Sequence, residues 1–159
     1  MRLRTGIGFD VHQLVTERKL ILGGIEIPHD KGCLAHSDGD VLIHAICDAL
    51  LGAAAMGDIG THFPDTESLY KDIDSRILLE KVFTLISEKG FEICNIDCIV
   101  TLQKPKIKEY IPAMQSEIAG ILKTTPDDVS VKATTTEKMG FTGREEGIAA
   151  WAVVLLSKQ

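Results

Sequence analysis

The sequence predicts an α+β fold, a mixed β-sheet with helices packed on one face, built as a single domain. Three observations carry that expectation. Segments of β-branched, extended character alternate with segments whose apolar residues recur at helical spacing. No internal repeat, low-complexity tract or Pro/Ser-rich linker divides the chain. The 159 residues, 45% of them hydrophobic, suit one domain with one sizeable core.

The elements follow in order. Leu3 to His12 reads as a strand, and Lys19 to Leu22 with Ile25 to Pro28 as a hairpin turning at Gly23-Gly24. From Ser37 to about Ala55, the residues Val41, Leu42, Ala45, Ile46, Ala49 and Leu50 mark a helix, with Ser37 or Asp38 as its cap and Gly57 as its stop. A second helix begins at Asp74 or Ser75 and ends before Gly90. Phe91 to Gln103 is a strand, and a helix announced by Pro105 covers Ile107 to Lys123. Val129 to Thr136 and Gly147 to Leu156 are strands, separated by the glycine-bearing segment Glu137 to Glu146, which reads as a functional loop.

Composition narrows the function. Seventeen basic against twenty-three acidic residues leave a net charge of −6, which opposes binding to nucleic acid or to an anionic membrane surface. The longest apolar run, Ile148 to Leu156, is far short of the ~20 residues of a membrane-spanning helix. The amino terminus has no apolar stretch of a secretory signal, so a cytoplasmic location is expected, or a plastid stroma if a transit peptide has been removed. Cys33, Cys47, Cys94 and Cys98 form no CxxC pair and read as reduced thiols in core packing; on an uninterrupted strand Cys94 and Cys98 share a face.

The chemistry begins with Asp10 and His12. Two apart on a strand, they send a carboxylate and an imidazole to one face. His44, mid-helix, supplies a third ligand, and Asp40 and Asp48, four residues to either side, stand on the same stripe to hold its other ring nitrogen. Two histidines, one carboxylate and a vacant position suit a catalytic Zn²⁺, and equally the facial triad of a non-haem Fe(II) oxygenase. Spacing alone does not choose between them.

Longer strings do. Gly8-Phe9-Asp10-Val11-His12, Ala35-His36-Ser37-Asp38-Gly39-Asp40-Val41, and Gly57-Asp58-Ile59-Gly60 with Phe63-Pro64-Asp65-Thr66 occur in that order. Gln103 with Pro105-Lys106, then Lys132 to Lys138, then Gly140-Phe141-Thr142-Gly143-Arg144 follow. Together they resemble the 2-C-methyl-D-erythritol 2,4-cyclodiphosphate synthase family over nearly the whole chain. The resemblance implies a homotrimer around a β-lined axis, with active sites between neighbouring subunits. It implies Zn²⁺ on Asp10, His12 and His44, and Mg²⁺ or Mn²⁺ near Glu137. The implied reaction closes a cyclic diphosphate: the 2-phosphate of a cytidine-diphosphate derivative of methylerythritol attacks the β-phosphorus and expels CMP. Because attack is intramolecular, positioning and charge dispersal suffice, and no nucleophile triad is needed.

The same resemblance distributes the contacts. His36 stabilises the transition state and, with Ser37, binds phosphate ahead of the helix, where free N–H groups favour an anion; read structurally, Ser37 is only a cap. Asp58, Ile59 and Gly60, with Phe63, Pro64, Asp65, Thr66 and Glu67, form the methylerythritol pocket, whose structural reading is a helix stop and turn. Asp10 and His12 touch the substrate as well as the metal. Leu102, Gln103, Lys104, Pro105, Lys106, Ile107 and Lys108 recognise CMP, Lys106 through phosphate and the rest through backbone. Leu102 and Lys108 stand where family members carry small or apolar residues, which argues against side-chain contacts there. Ala133, Thr134, Thr135, Thr136 and Glu137 close over the diphosphate, with Thr135 catalytic. Phe141 and Arg144, joined by Phe9, line the trimer axis, where some members hold an isoprenoid diphosphate. Read structurally, Phe141 is packed and Arg144 is paired with Glu146, while Glu145 replaces a usually small residue.

Two other classes make distinct predictions. A facial-triad oxygenase requires a β-rich jelly roll and a basic clamp for an oxo-acid. A non-catalytic trimeric binding protein with a structural metal has no use for Lys106 or Thr135.

Overall fold

The computed structural model describes residues 1–64 and 72–158. Four strands come first: β1 (Arg2–Thr16), β2 (Leu20–Leu22), β3 (Ile25–Ile27) and β4 (Lys31–Leu34). Helices α1 (Val41–Ala53), α2 (Ile59–His62) and α3 (Ser75–Glu88) follow. Then come β5 (Glu92–Thr101), α4 (Ile111–Ile121), β6 (Val129–Thr134), α5 (Gly140–Gly143) and β7 (Gly147–Lys158). One mixed sheet runs in the order β4-β1-β7-β5-β6, antiparallel except for the β5–β6 pair, and β2–β3 forms a separate hairpin. The long helices cover one face, which confirms the expected α+β layer and excludes the double-sheet jelly roll an oxygenase needs.

The side-chain period of β1 explains how the layers meet. Its even positions, Gly6, Gly8, Asp10, His12 and Leu14, face α1, and its odd positions face away. At Gly8 an added Cβ would lie 1.8 Å from the Ala45 carbonyl oxygen, and at Gly6 1.9 Å from that of Ala49. Glycine opposite the alanines of α1 lets helix backbone rest on strand backbone. That close approach lowers His44, next to Ala45, onto Asp10. α1 is apolar almost all round and buried along nearly its whole length, as a helix enclosed on several sides must be.

Several expectations are corrected. β1 runs on to Thr16, and β4 joins it at the sheet edge, its Gly32 accepted because a side chain there would strike the Lys19 carbonyl. α1 is capped by neither Ser37 nor Asp38 but by Asp40, whose carboxylate takes the Ile43 N–H. The helix ends at Ala53, with Ala55 rather than Gly57 taking the first left-handed position. Residues 108–110 form a 3₁₀ turn ahead of α4, and a short helix, α5, interrupts the segment 137–146. A bulge between Ile93 and Asn95 breaks the alternation that would have put Cys94 and Cys98 on one face; Cys98 is buried, Cys94 only partly, and both are free thiols.

On the face turned from the helices, Leu3, Ile7, Phe9, Val11, Trp151 and Val153 are exposed, with the Phe9 and Trp151 rings 4.8 Å apart. No helix among the described residues is long and apolar enough to cross a membrane.

Candidate metal centre and the cavity around it

Asp10 and His12 rise from β1, and His44 descends from α1. Asp10 Oδ2 lies 3.0 Å from His12 Nε2 and 3.0 Å from His44 Nδ1, and the two nitrogens are 3.4 Å apart. A tetrahedral ion with bonds of about 2.0–2.1 Å spaces its ligand atoms about 3.3 Å apart, so this triangle has the size a Zn²⁺ site requires. The donor set, two imidazoles and a carboxylate with one side open, has the chemistry of a catalytic rather than a closed structural site. Among the described residues this is the one group of three or more potential ligands drawn together.

Electrostatics point the same way. Burial alone would raise the Asp10 pKa, but hydrogen bonds and charge from His12 and His44 outweigh it and bring the carboxyl down to about 2. Burial would lower His44, yet its hydrogen bond to Asp10 and the charges of Asp10, Asp40 and Asp38 raise it. An ionised Asp10 carboxylate between two imidazoles is thus a place that favours positive charge.

Outside the triangle, Asp40 and Asp48 do not hold His44, contrary to expectation. Asp40 is fully buried and accepts the N–H groups of Gly23, Gly24 and Ile43, pinning the β2–β3 hairpin to the start of α1. Asp48 accepts the Ile59 N–H at 2.8 Å. A shared helical stripe makes such contacts available, but these carboxylates find unsatisfied backbone donors first. His44 Nε2 instead meets the Ser75 hydroxyl at 2.9 Å and that of Ser37 at 3.2 Å. Sequence connects neither serine with the ligand: an Asp-Ser pair opening a helix reads as a cap, and no local spacing relates Ser75 to a histidine 31 residues away.

The triangle forms one wall of a cavity of about 340 Å³, also lined by Ala35, His36, Ser37, Ile59, Gly60, Phe63, Ile73 and Leu78. His36 is exposed. Arg18 donates to the carbonyls of Cys33 and Ser37, and Asp72 N–H donates to the His36 carbonyl, which fixes the rim. Ser37 is buried, its hydroxyl accepting the Gly39 N–H as well as facing His44. Asp58 caps α2, accepting from the Thr61 backbone and hydroxyl, and those bonds lower its pKa. Pro64 is partly buried beside Phe63, while Asp65, Thr66 and Glu67 lie outside the described residues.

The remaining predicted contacts are elsewhere. None of residues 102–108 or 133–137 lines the cavity. Leu102 and Ile107 are buried in the core, so only their backbone is available, whereas Lys104, Lys106 and Lys108 are exposed. Gln103 accepts the Lys138 N–H, and Lys104 pairs with Glu145 at 3.3 Å, tying the two segments together. Ala133, Thr134, Thr135 and Glu137 are exposed; the Thr135 hydroxyl donates to Glu137 at 3.1 Å, and Glu137 and Lys138 both take positive φ. Thr136, partly buried, bonds the Thr142 hydroxyl. Phe141 is 42% exposed, and Arg144 makes a two-point ion pair with Glu146, the structural reading of that residue.

Comparison with known proteins gives a consistent result. The YgbB family model matches residues 3–157. A 2-C-methyl-D-erythritol 2,4-cyclodiphosphate synthase of Bacteroides fragilis is 59% identical over 158 residues, 99% of each chain. Among solved structures, the bifunctional IspDF of Campylobacter jejuni superposes with a TM-score of 0.96 at 47% identity; the match covers 99% of this chain and 43% of that longer one. Plasmodium falciparum IspF in complex with CDP gives a TM-score of 0.87 at 36% identity, covering 99% of this chain and 97% of that one.

Proposed function

The chain belongs to the YgbB family of 2-C-methyl-D-erythritol 2,4-cyclodiphosphate synthases, and from that premise we propose which of its residues carry the reaction. The reaction converts 4-diphosphocytidyl-2-C-methyl-D-erythritol 2-phosphate to 2-C-methyl-D-erythritol 2,4-cyclodiphosphate, a step of the non-mevalonate isoprenoid pathway. It is a phosphorus–oxygen lyase reaction: the 2-phosphate attacks the β-phosphorus and CMP leaves.

Asp10, His12 and His44 hold Zn²⁺, a reading carried by their 3.0–3.4 Å triangle at the wall of the cavity. Bound there, the ion supplies Lewis-acid polarisation of a phosphoryl oxygen. His36, exposed on the rim, donates a hydrogen bond to the phosphoryl group as charge develops, and Ser37 braces the loop that presents it. Ile59, Gly60 and Phe63 enclose the methylerythritol, with Asp58 shaping that turn as the cap of α2; the family resemblance adds Pro64, Asp65, Thr66 and Glu67 to the same contacts. Folding the substrate so that the attacking oxygen lies in line with CMP is worth roughly 7–11 kcal/mol in well-oriented intramolecular reactions.

CMP and the diphosphate fall to the second group. Backbone of 102–108 reads the cytosine, Lys106 meets phosphate, and Thr134 and Thr135 donate to the diphosphate, with Ala133 and Thr136 setting their register. Glu137 takes Mg²⁺ or Mn²⁺; a single carboxylate suits an ion that fills its shell from substrate phosphates and water. The CDP bound by the Plasmodium falciparum relative supports a nucleotide subsite. These residues do not line the described cavity of their own chain, and the family resemblance assigns them to the cavity of a neighbouring subunit.

As the family resemblance implies, the domain works as a homotrimer, and the exposed apolar face around Phe9 and Trp151 is the surface available for that packing. Phe9 and Phe141 border the axis, and an isoprenoid diphosphate held there has to draw Arg144 from Glu146. Four free thiols suit a reducing compartment such as the cytoplasm or a plastid stroma.

Incubation of the purified protein with the cytidylylated substrate and Mg²⁺ should release CMP. Exhaustive chelation should abolish that release and Zn²⁺ should restore it. Full activity in protein shown to be metal-free overturns the assignment of Asp10, His12 and His44.

A further inference from the structure

We propose that Ser75 and Asp38 are positioning residues that set His44 as a metal ligand, through a hydrogen-bond chain from the Asp38 carboxylate to the Ser75 hydroxyl to His44 Nε2. The inference rests on the zinc reading above and adds two residues to it.

The direction of the chain follows from what each group can do. Asp38 Oδ1 is 2.5 Å from Ser75 Oγ, and Asp38 Oδ2 accepts the Ser75 N–H at 2.9 Å. An ionised carboxylate only accepts, so the single Ser75 hydroxyl proton points to Asp38. The Ser75 oxygen then has lone pairs alone to offer the His44 Nε2 that lies 2.9 Å away, and Nε2 must carry the proton. Ser37 Oγ stands 3.2 Å from the same nitrogen and is already an acceptor for Gly39 N–H. With Nε2 protonated, the neutral ring leaves Nδ1 as a bare lone pair, 3.0 Å from Asp10 and 3.4 Å from His12 Nε2. Those lone pairs converge on a point that a proton shared with Asp10 fills when no metal is bound and that a metal ion can take over. The tautomer a metal needs is thus chosen before the metal arrives.

Packing makes the choice firm. Ser75 is fully buried as the first residue of α3, and His44 is 6% exposed, so water does not compete for either end of the bond. Asp38 N–H also donates to the Ile73 carbonyl, which locks the loop bearing His36 to the chain entering α3. Ser75 and Asp38 therefore act through His44 and touch neither substrate nor metal.

The test is Zn²⁺ affinity, measured by competition with a chromophoric chelator, together with the visible spectrum of the Co²⁺-loaded protein. Wild type should bind one Zn²⁺ in this site and His44→Ala should lose it. Ser75→Ala should weaken binding about 10–100-fold and shift the Co²⁺ bands, with helix content unchanged. Asp38→Asn should weaken it by a similar factor, because an amide donating to Ser75 Oγ reverses the chain. The double variant should be no worse than Ser75→Ala, since both residues act through one bond. A folded Ser75→Ala with wild-type affinity and spectrum overturns the inference while leaving the zinc reading intact, and so does additivity in the double variant. If Ser75→Ala does not fold, Asp38→Asn decides by the same affinity. Wild-type protein that takes up no zinc overturns both.

Discussion

Around His44, every polar side chain is committed within the chain: Ser75, Ser37 and Asp38 on one side, Asp10 and His12 on the other, with Asp40 and Asp48 binding backbone behind. Along Lys104 to Lys108 and Ala133 to Glu137, most side chains stand in solvent, and their bonds are local ones, Thr135 to Glu137, Thr136 to Thr142 and Lys104 to Glu145. The first region is a finished wall; the second is a surface awaiting something to close against. On the shared-site reading proposed above, the difference marks where one subunit ends as a chemical unit. Zinc needs preorganised ligands, which burial supplies, while a nucleotide and its phosphates need exposed donors, which a second copy of the chain can cover.

The strongest blow to this contrast comes from Gly8. Gly8→Ala forces a Cβ into the Ala45 carbonyl, which backbone can relieve only by lifting α1 from β1. We expect a loss of at least about 3 kcal/mol of stability, the upper range of overpacking. Any protein that still folds should also have lost zinc, because His44 moves with Ala45. Urea unfolding and metal analysis of the same sample check both. A stable variant with full zinc would show that the close approach of strand and helix does not set the metal site.

Complementation sharpens the comparison next. His12→Ala spoils the wall and Lys106→Ala the surface, so each should be nearly inactive alone. Mixed under conditions that exchange subunits, some interfaces combine an intact wall with an intact surface and should recover a fraction of wild-type CMP release. Exchange confirmed by mass without any recovery means that each site is built within one chain.

At neutral pH, point changes that leave the backbone in place separate the regions by stability. Glu137→Gln, exposed, should change stability by no more than about 0.5 kcal/mol. Asp40→Asn should cost about 1–3 kcal/mol at neutral pH, by setting an amide against the Gly24 N–H. Asp40 also makes a signed pH prediction. Burial raises its pKa from 3.8 to about 6, despite opposing hydrogen bonds from Ile43 and Gly24. Well below 3.8 the group is protonated in both states. As pH rises toward 6, the unfolded chain releases the proton first, so its contribution to stability falls by about 3 kcal/mol and then levels. The advantage of wild type over Asp40→Asn should therefore be greatest near pH 4 and smallest near pH 7. Unfolding curves across that range that run parallel would remove the buried-carboxylate account.

By itself the sequence determined most of the longer elements and the three candidate ligands. Period-two spacing placed Asp10 and His12 on one face, helical spacing placed His44 on α1, and the hairpin at Gly23-Gly24 and the Asp74 start of α3 were legible because turns and caps are written in adjacent residues. The tertiary structure decided what those residues touch. Asp40, rather than Ser37 or Asp38, caps α1 because the hairpin brings two further N–H groups to the same carboxylate. Ser75 reaches His44 because α3 packs on α1, and Leu102 and Ile107 turn inward because the core had room for them. A side chain's neighbours along the chain are set by dihedral period; its neighbours across the fold are set by which buried donors and acceptors must be satisfied, and that competition is settled only when the layers meet.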